Sequence, residues 1–292
     1  DSDRTARRCV HWLPRDDDPA DSLRRIPAAR LPLTARSVNR LPRVASGMAH
    51  VDVLEPLELD APTMVEGLPG VGLVGKIAAD HLVEEFAMTH YANVHCDALP
   101  KVAVYQEGDA TLHPPVRLYA DTERNLLVLQ SDVPISPAAA QEFADCIGGW
   151  FDDDGVFPIY LSGIGREKSD APPAMYGVGV GDGLERLEAV DITTPDETGL
   201  VSGPTGALLN DAVEHGRAAV GLVVESDPRF PDPEAARILI REGIEPLTGL
   251  EVGTDSLVDR AEEIRAAKER LAKRMQEAGD ESTQARPLGM YQ

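Results

Sequence analysis

The 292 residues predict an α/β layered fold with a largely parallel central sheet. Two patterns carry this expectation. From Met48 onward, short apolar, β-branched runs alternate with helical patterns, each separated by Gly, Pro or Asp. Runs such as Asn125 to Gln130 are apolar on both faces, as strands are when helices cover both sides of a sheet.

Taken in order, the expected strands are Thr63 to Glu66, Asn93 to Cys96, Lys101 to Tyr105, Asn125 to Gln130, Val156 to Ser162 and Ala218 to Val224. The expected helices are Val71 to Phe86, Pro137 to Phe151, Gly206 to His215, Pro233 to Glu242 and Asp255 to Ala278. Ser136-Pro137 and Asp232-Pro233 each supply an N-cap residue followed by a proline at the first helical position, where no amide hydrogen is needed. Residues Arg166 to Gly183, rich in Pro and Gly, read as a long loop. In the last helical pattern Leu257, Ile264 and Leu271 recur every seven residues with Ala261 and Met275 beside them, which makes it amphipathic.

This divides the chain into an α/β core over 48–252, a C-terminal amphipathic helix over 253–278 and a polar tail over 279–292, expected to be flexible. Residues 1–47 stand apart. They lack a sustained period, are interrupted by five prolines, and are expected to be disordered and to represent an extended reading frame upstream of a natural start at Met48. Six Asp among their ten Arg argue against an organellar transit peptide.

Composition restricts the partners. The chain carries a formal charge of −22, yet residues 1–47 contribute +4, so the remainder holds 44 acidic side chains against 18 basic ones. Nucleic acid and anionic membrane surfaces attract Lys and Arg, so neither is an expected partner. So acidic a shell with only five lysines suits a cytosol of very high salt, where screening suppresses self-repulsion, and points to a halophilic source. Cys9, Cys96 and Cys146 form no CxxC pair and leave an odd thiol, so neither a zinc site nor a disulfide framework is expected, and a reducing, cytoplasmic compartment follows. Apolar runs fall far short of the roughly 20 residues that a membrane helix requires.

The segment Gly67-Leu-Pro-Gly-Val-Gly-Leu-Val-Gly-Lys76 lies between an expected strand and an expected helix, the context of a phosphate-binding loop. Gly70-x-Gly72-x-x-Gly75 matches a dinucleotide fingerprint, and Asp97 lies downstream at the distance of a ribose-binding acid. Gly70-x4-Gly75-Lys76 also resembles a P-loop, but Ile77 stands where Ser or Thr would ligate magnesium. The competing explanation is structural: Gly67, Gly70, Gly72 and Gly75 permit a tight turn and close helix packing, with no cofactor and no metal. A nucleotide- or nucleoside-binding enzyme using this loop is the alternative reading. His81, the His95-Cys96 pair and Ser162-Gly163-Ile164-Gly165 do not assemble into a nucleophile, base and orienter, so no catalytic residue is expected.

Five segments together resemble the proteasome assembly chaperone 2 family. They are Glu66 to Ala79, Ser131 to Pro137, Leu161 to Gly165, Ser202 to Leu209 and Pro231 to Ala236, in matching order from about Met64 to Met275. The resemblance implies an α/β/α sandwich similar to nucleoside phosphorylases but without their catalytic site. It also implies a homo-oligomer with a C-terminal hydrophobic-Tyr-any motif that enters pockets between α-subunits of the proteasome core particle. Met290-Tyr291-Gln292 fits that motif residue for residue, so these three are the expected partner-binding residues of an ATP-independent assembly chaperone or core-particle activator. A carboxylate able to pair with lysine, an aromatic body with one polar tip and an apolar anchor suit such a pocket. The amphipathic helix either supplies the oligomer contact or packs on its own subunit.

Overall fold

The computed structural model describes residues 50–259 apart from 107, 109, 167–170 and 258, all within the unit Ala45–Gln292. Eight strands form one sheet: β1 His50–Val53, β2 Thr63–Gly67, β3 Thr89–His95, β4 Val116–Asp121, β5 Leu126–Ser131, β6 Phe157–Gly165, β7 Met175–Val180 and β8 Ala219–Ser226. Their order is β1-β3-β4-β5-β2-β6-β8-β7. The four consecutive strands β5, β2, β6 and β8 are parallel. Antiparallel pairs complete both sides, β1-β3-β4-β5 on one and β8-β7 on the other. The mixed α/β class is the expected one, with its parallel part at the centre.

The helices are α1 Val74–Glu85, α2 Ala140–Asp154, α3 Asp182–Ala189, α4 Gly203–His215, α5 Pro233–Ile238 and α6 Glu245–Thr248. Alternation along each central strand feeds two cores. Val65 and Val128 join Ala78, Leu82, Leu222 and Ile240 on the face covered by α1 and α5. Their neighbours Met64, Leu127 and Leu129 join Phe143, Ile147 and Leu208 on the face covered by α2 and α4. A π-helical turn, Leu239–Ile244, separates α5 from α6. Pro246 in the first turn of α6 has no amide hydrogen to donate, and the chain widens just before it.

The expectations fail at identifiable places. Lys101 to Tyr105 is not a strand: Val104 makes a single bridge to His113. Strand β4 was not expected because Arg117 interrupts its apolar run, yet the side chain is buried and neutralised at 2.6 Å by Asp132. The expected loop Arg166 to Gly183 contains β7 and the start of α3 instead. Gly177 and Gly183 are there for space, since a Cβ at 177 would meet Leu187 and Ile192, and one at 183 would overlap the Ala219 backbone. Asp232 caps α5 by accepting from the Ala235 amide at 3.3 Å, whereas Ser136 makes no side-chain cap and only Pro137 plays its expected part. Cys96 and Cys146 form a disulfide between the end of β3 and α2, against the expectation from an odd cysteine count, so the cysteines give no support to a reducing compartment. Asp255 to Leu257 are helical as expected, while 260–278, the tail and residues 1–47 lie outside the described residues. Among the described residues no helix is long and apolar enough to cross a membrane.

Candidate functional site

The five segments quoted from the sequence converge at the C-terminal ends of the parallel strands, where α/β folds place their ligand crevice. The glycine loop leaves β2 there and turns into α1 through two successive left-handed residues, Gly72 at φ 62° and Leu73 at φ 52°. Glycine relieves the first; Leu73 bears the second with its side chain partly exposed.

Protein atoms crowd the backbone of this loop. A Cβ at 72 would overlap Ser226 Oγ, the Gly72 carbonyl accepts from the Asp232 amide at 2.8 Å, and a Cβ at 163 would stand 2.5 Å from the Val71 carbonyl oxygen. A Cβ at 67 would overlap that of Ala79, and one at 75 would lie 3.3 Å from Leu161. Three of the four expected glycines are thus explained by close packing; Gly70 has open space where a Cβ would stand. Lys76 is held between Asp80 at 2.9 Å and Asp132 at 3.4 Å, and Asp132 also binds buried Arg117. Ile77 packs against the core beside Val74 and Ala78.

The topology also removes the acid that the dinucleotide reading requires. That fingerprint needs the strand after the helix to lie parallel and adjacent to the first, so that its terminal carboxylate reaches the ribose. Here β3 is antiparallel to its neighbours and is separated from β2 by β4 and β5. Asp97 follows it and pairs with Lys101 at 3.2 Å on the surface. His81 is buried with Nε2 2.5 Å from the Gly253 carbonyl oxygen and Nδ1 3.4 Å from Ser256 Oγ, so it anchors the chain after α6. His95 stacks on His50 with ring centroids 5.0 Å apart.

One buried ionisable group was not singled out from sequence. Glu66, in β2, is fully buried beneath the loop. Its Oε1 accepts from the Leu68 amide at 3.1 Å and the Thr205 hydroxyl at 3.0 Å, and its Oε2 accepts from the Leu161 amide at 3.1 Å. One carboxyl therefore ties the glycine loop to β6 and α4. Burial pushes its pKa up to about 7, and the three hydrogen bonds oppose that rise only in part. The available signal was its place, an acid in an apolar strand immediately before Gly67.

The expected partner-binding residues Met290, Tyr291 and Gln292 lie outside the described residues, so the geometry of the tail is not part of this site. Among the described residues no group of three or more His, Cys, Asp or Glu side chains is arranged to hold a metal.

The model of a family described as the PAC2 family matches residues 64–272. An uncharacterized protein of Methanocaldococcus jannaschii is 28% identical over 223 residues, spanning 74% of this chain and 87% of its own. The crystal structure of Pyrococcus furiosus PbaA, an archaeal homolog of proteasome-assembly chaperone, matches with a TM-score of 0.68 and 28% identity, covering 80% of this chain and 95% of that one. Pyrococcus furiosus PbaB, an archaeal proteasome activator, matches with a TM-score of 0.66 and covers 77% of this chain and 99% of that one; at 22% identity it speaks to fold alone.

Proposed function

The chain belongs to the PAC2 family, and from that premise we propose that it is a non-enzymatic, cytoplasmic proteasome-binding protein, an ATP-independent assembly chaperone or activator of the core particle. The observation that carries this reading is the match to PbaA over nearly that protein's whole length. Close packing of the glycine loop supports it from the chemical side: Gly67, Gly72 and Gly75 are crowded by Ala79, Ser226 and Leu161, and Lys76 is held by two carboxylates.

In this reading Met290, Tyr291 and Gln292 dock in pockets between α-subunits of the core particle. One short tail binds weakly; a homo-oligomer that displays several binds as a multivalent ligand. The test is co-purification of recombinant core particle with the full chain, with a chain lacking 290–292 and with Tyr291→Ala at high salt. Intact protein is expected to retain core particle and both variants to lose it. Retention by both would refute the tail mechanism. Failure of the intact chain to bind would refute the partner itself.

A further inference from the structure

The Cys96–Cys146 disulfide joins residues 50 positions apart, one at the end of β3 and one in the middle of α2, and its two halves face different surroundings. Cys146 is half-buried on α2, where the exposed acids Glu142 and Asp145 flank it. Cys96 is buried but lines a cleft of about 290 Å³. The polar side chains of that cleft are of the other kind: Lys101, His50 and His95 line it against one acid, Asp97. Asp97 is already paired with Lys101 at 3.2 Å, and Lys101 Nζ also donates to the Cys96 carbonyl at 3.3 Å, which keeps the ammonium beside that residue. Access to Cys146 runs past carboxylates, and access to Cys96 runs past an ammonium and two stacked imidazoles.

Thiol–disulfide exchange begins when a thiolate, an anion, attacks one sulfur and expels the other. Carboxylates beside Cys146 repel such an attacker, and Lys101 beside Cys96 attracts it. The proposed compartment points the same way. In a cytoplasm that keeps thiols reduced, a protein disulfide is usually transient, catalytic or redox-sensing. A bond bordered by an open cleft is placed to open and close there.

We infer that Cys96–Cys146 is a redox-responsive exchange site, opened at Cys96 by a small anionic thiol that enters the cleft. The site depends for its reductant on the cytoplasmic location proposed above. The thiolate RS⁻ attacks Cys96 Sγ, forms the mixed disulfide RS–S–Cys96 and expels Cys146 as a thiolate, which takes a proton from water. A second RS⁻ attacks the RS sulfur of the mixed disulfide, releases RSSR and leaves Cys96, once protonated, as a thiol. Two electrons pass from two small thiols to the bond, and RSSR reverses both steps. Opening unties the end of β3, and the 97–102 wall of the cleft that follows it, from α2.

The experiment uses the full chain with Cys9→Ser, which leaves Cys96 and Cys146 as its only cysteines. The oxidised protein is incubated, folded and at the lowest salt that keeps it so, with reduced glutathione, an anionic thiol, or with cysteamine, a cationic one, at equal thiolate concentration. Rapid alkylation then blocks free thiols, and peptide mass mapping places the adduct. The bond is expected to open in the folded protein, with more glutathione on Cys96 than on Cys146. Lys101→Glu, an exposed change that leaves the core intact, is expected to slow glutathione at least threefold more than it slows cysteamine. The thermal midpoint is expected to fall by about 5 °C on opening and to return with oxidised glutathione. A bond that opens only after unfolding, an adduct absent from Cys96 or favouring Cys146, or a Lys101→Glu effect equal for both thiols each overturns the site and leaves the proteasome reading standing. Core-particle retention is measured separately on the oxidised chain, and its failure refutes that partner while an exchange that runs as expected still upholds this site.

Discussion

The parallel centre of the sheet and its antiparallel β3-β4 flank are held together by different means. In the centre, Met64, Val65, Leu127, Val128, Ile159 and Leu222 are wholly buried on two faces, each contributing about 1.5 to 3 kcal/mol by leaving water. Backbones approach so closely that Gly67 and Gly183 have no room for a methyl group. The flank has apolar residues too, but Arg117 of β4 also pins it by charge to the end of β5 and to α1: Arg117 to Asp132, Asp132 to Lys76, Lys76 to Asp80, and Gln130 donating to Asp80 at 2.5 Å. Packing of the first kind tolerates no added volume and is indifferent to charge. A network of the second kind tolerates volume and fails when one partner is removed.

The sharpest way to break the centre is Gly67→Leu. Its Cβ would stand 2.0 Å from that of Ala79, a backbone-anchored atom in a helix that cannot swing aside. We expect a loss of about 4 kcal/mol or more in urea unfolding, enough to abolish folding at low salt. A loss under about 1 kcal/mol would show that α1 can lift from β2, and the contrast with the flank would collapse.

Arg117→Leu tests the flank. It keeps an apolar stem in a buried position but strands Asp132 with Lys76 alone, and we expect about 3 kcal/mol of destabilisation. Removing the carboxylate as well, in Arg117→Leu with Asp132→Ala, should recover part of that loss, because the penalty lies in the unpaired charge. Strictly additive losses would mean that Arg117 acts through packing, as the centre does.

The same contrast explains what could be read from sequence. The central strand β5 holds an unbroken apolar run, Leu126 to Leu129, as strands covered on both faces do. The glycine loop announced its turn and its helix, but Ser226 and Asp232, which pack against Gly72, lie about 150 positions away, which spacing cannot reveal. Strand β4 was illegible because a buried Arg117 looks like an exposed one until Asp132 is known to face it. Strand β7 was illegible because Gly177 and Gly179 signal flexibility in text and close packing in space. The Cys96–Cys146 bond, 50 residues apart in the chain, follows from β3 lying against α2 and not from any motif. For the proposed role of Met290, Tyr291 and Gln292, sequence remains the whole basis of the reading.

Glu66 is the exception that sharpens the comparison, a fully buried acid within a central strand. With its pKa raised from 4.5 to about 7, the folded protein holds a proton there that the unfolded chain has already released. Below pH 4.5 both states are protonated and the contribution is fully present. As pH rises from 4.5 through about 7 the unfolded state gains the advantage of ionising freely in water, and about 3 kcal/mol of stability is lost. The acidic shell responds in the same direction, since its carboxylates repel one another more as they ionise. Glu66→Gln isolates the buried group. Its amide mispairs with one of the donors from Leu68, Leu161 and Thr205, so absolute stability falls at every pH and is not the quantity to read. The slope is. Between pH 4.5 and 7 the variant should lose about 3 kcal/mol less than wild type when urea unfolding is compared at fixed high salt. Parallel curves would mean that Glu66 ionises in the folded centre as freely as it does in water, and that its three hydrogen bonds fully offset its burial.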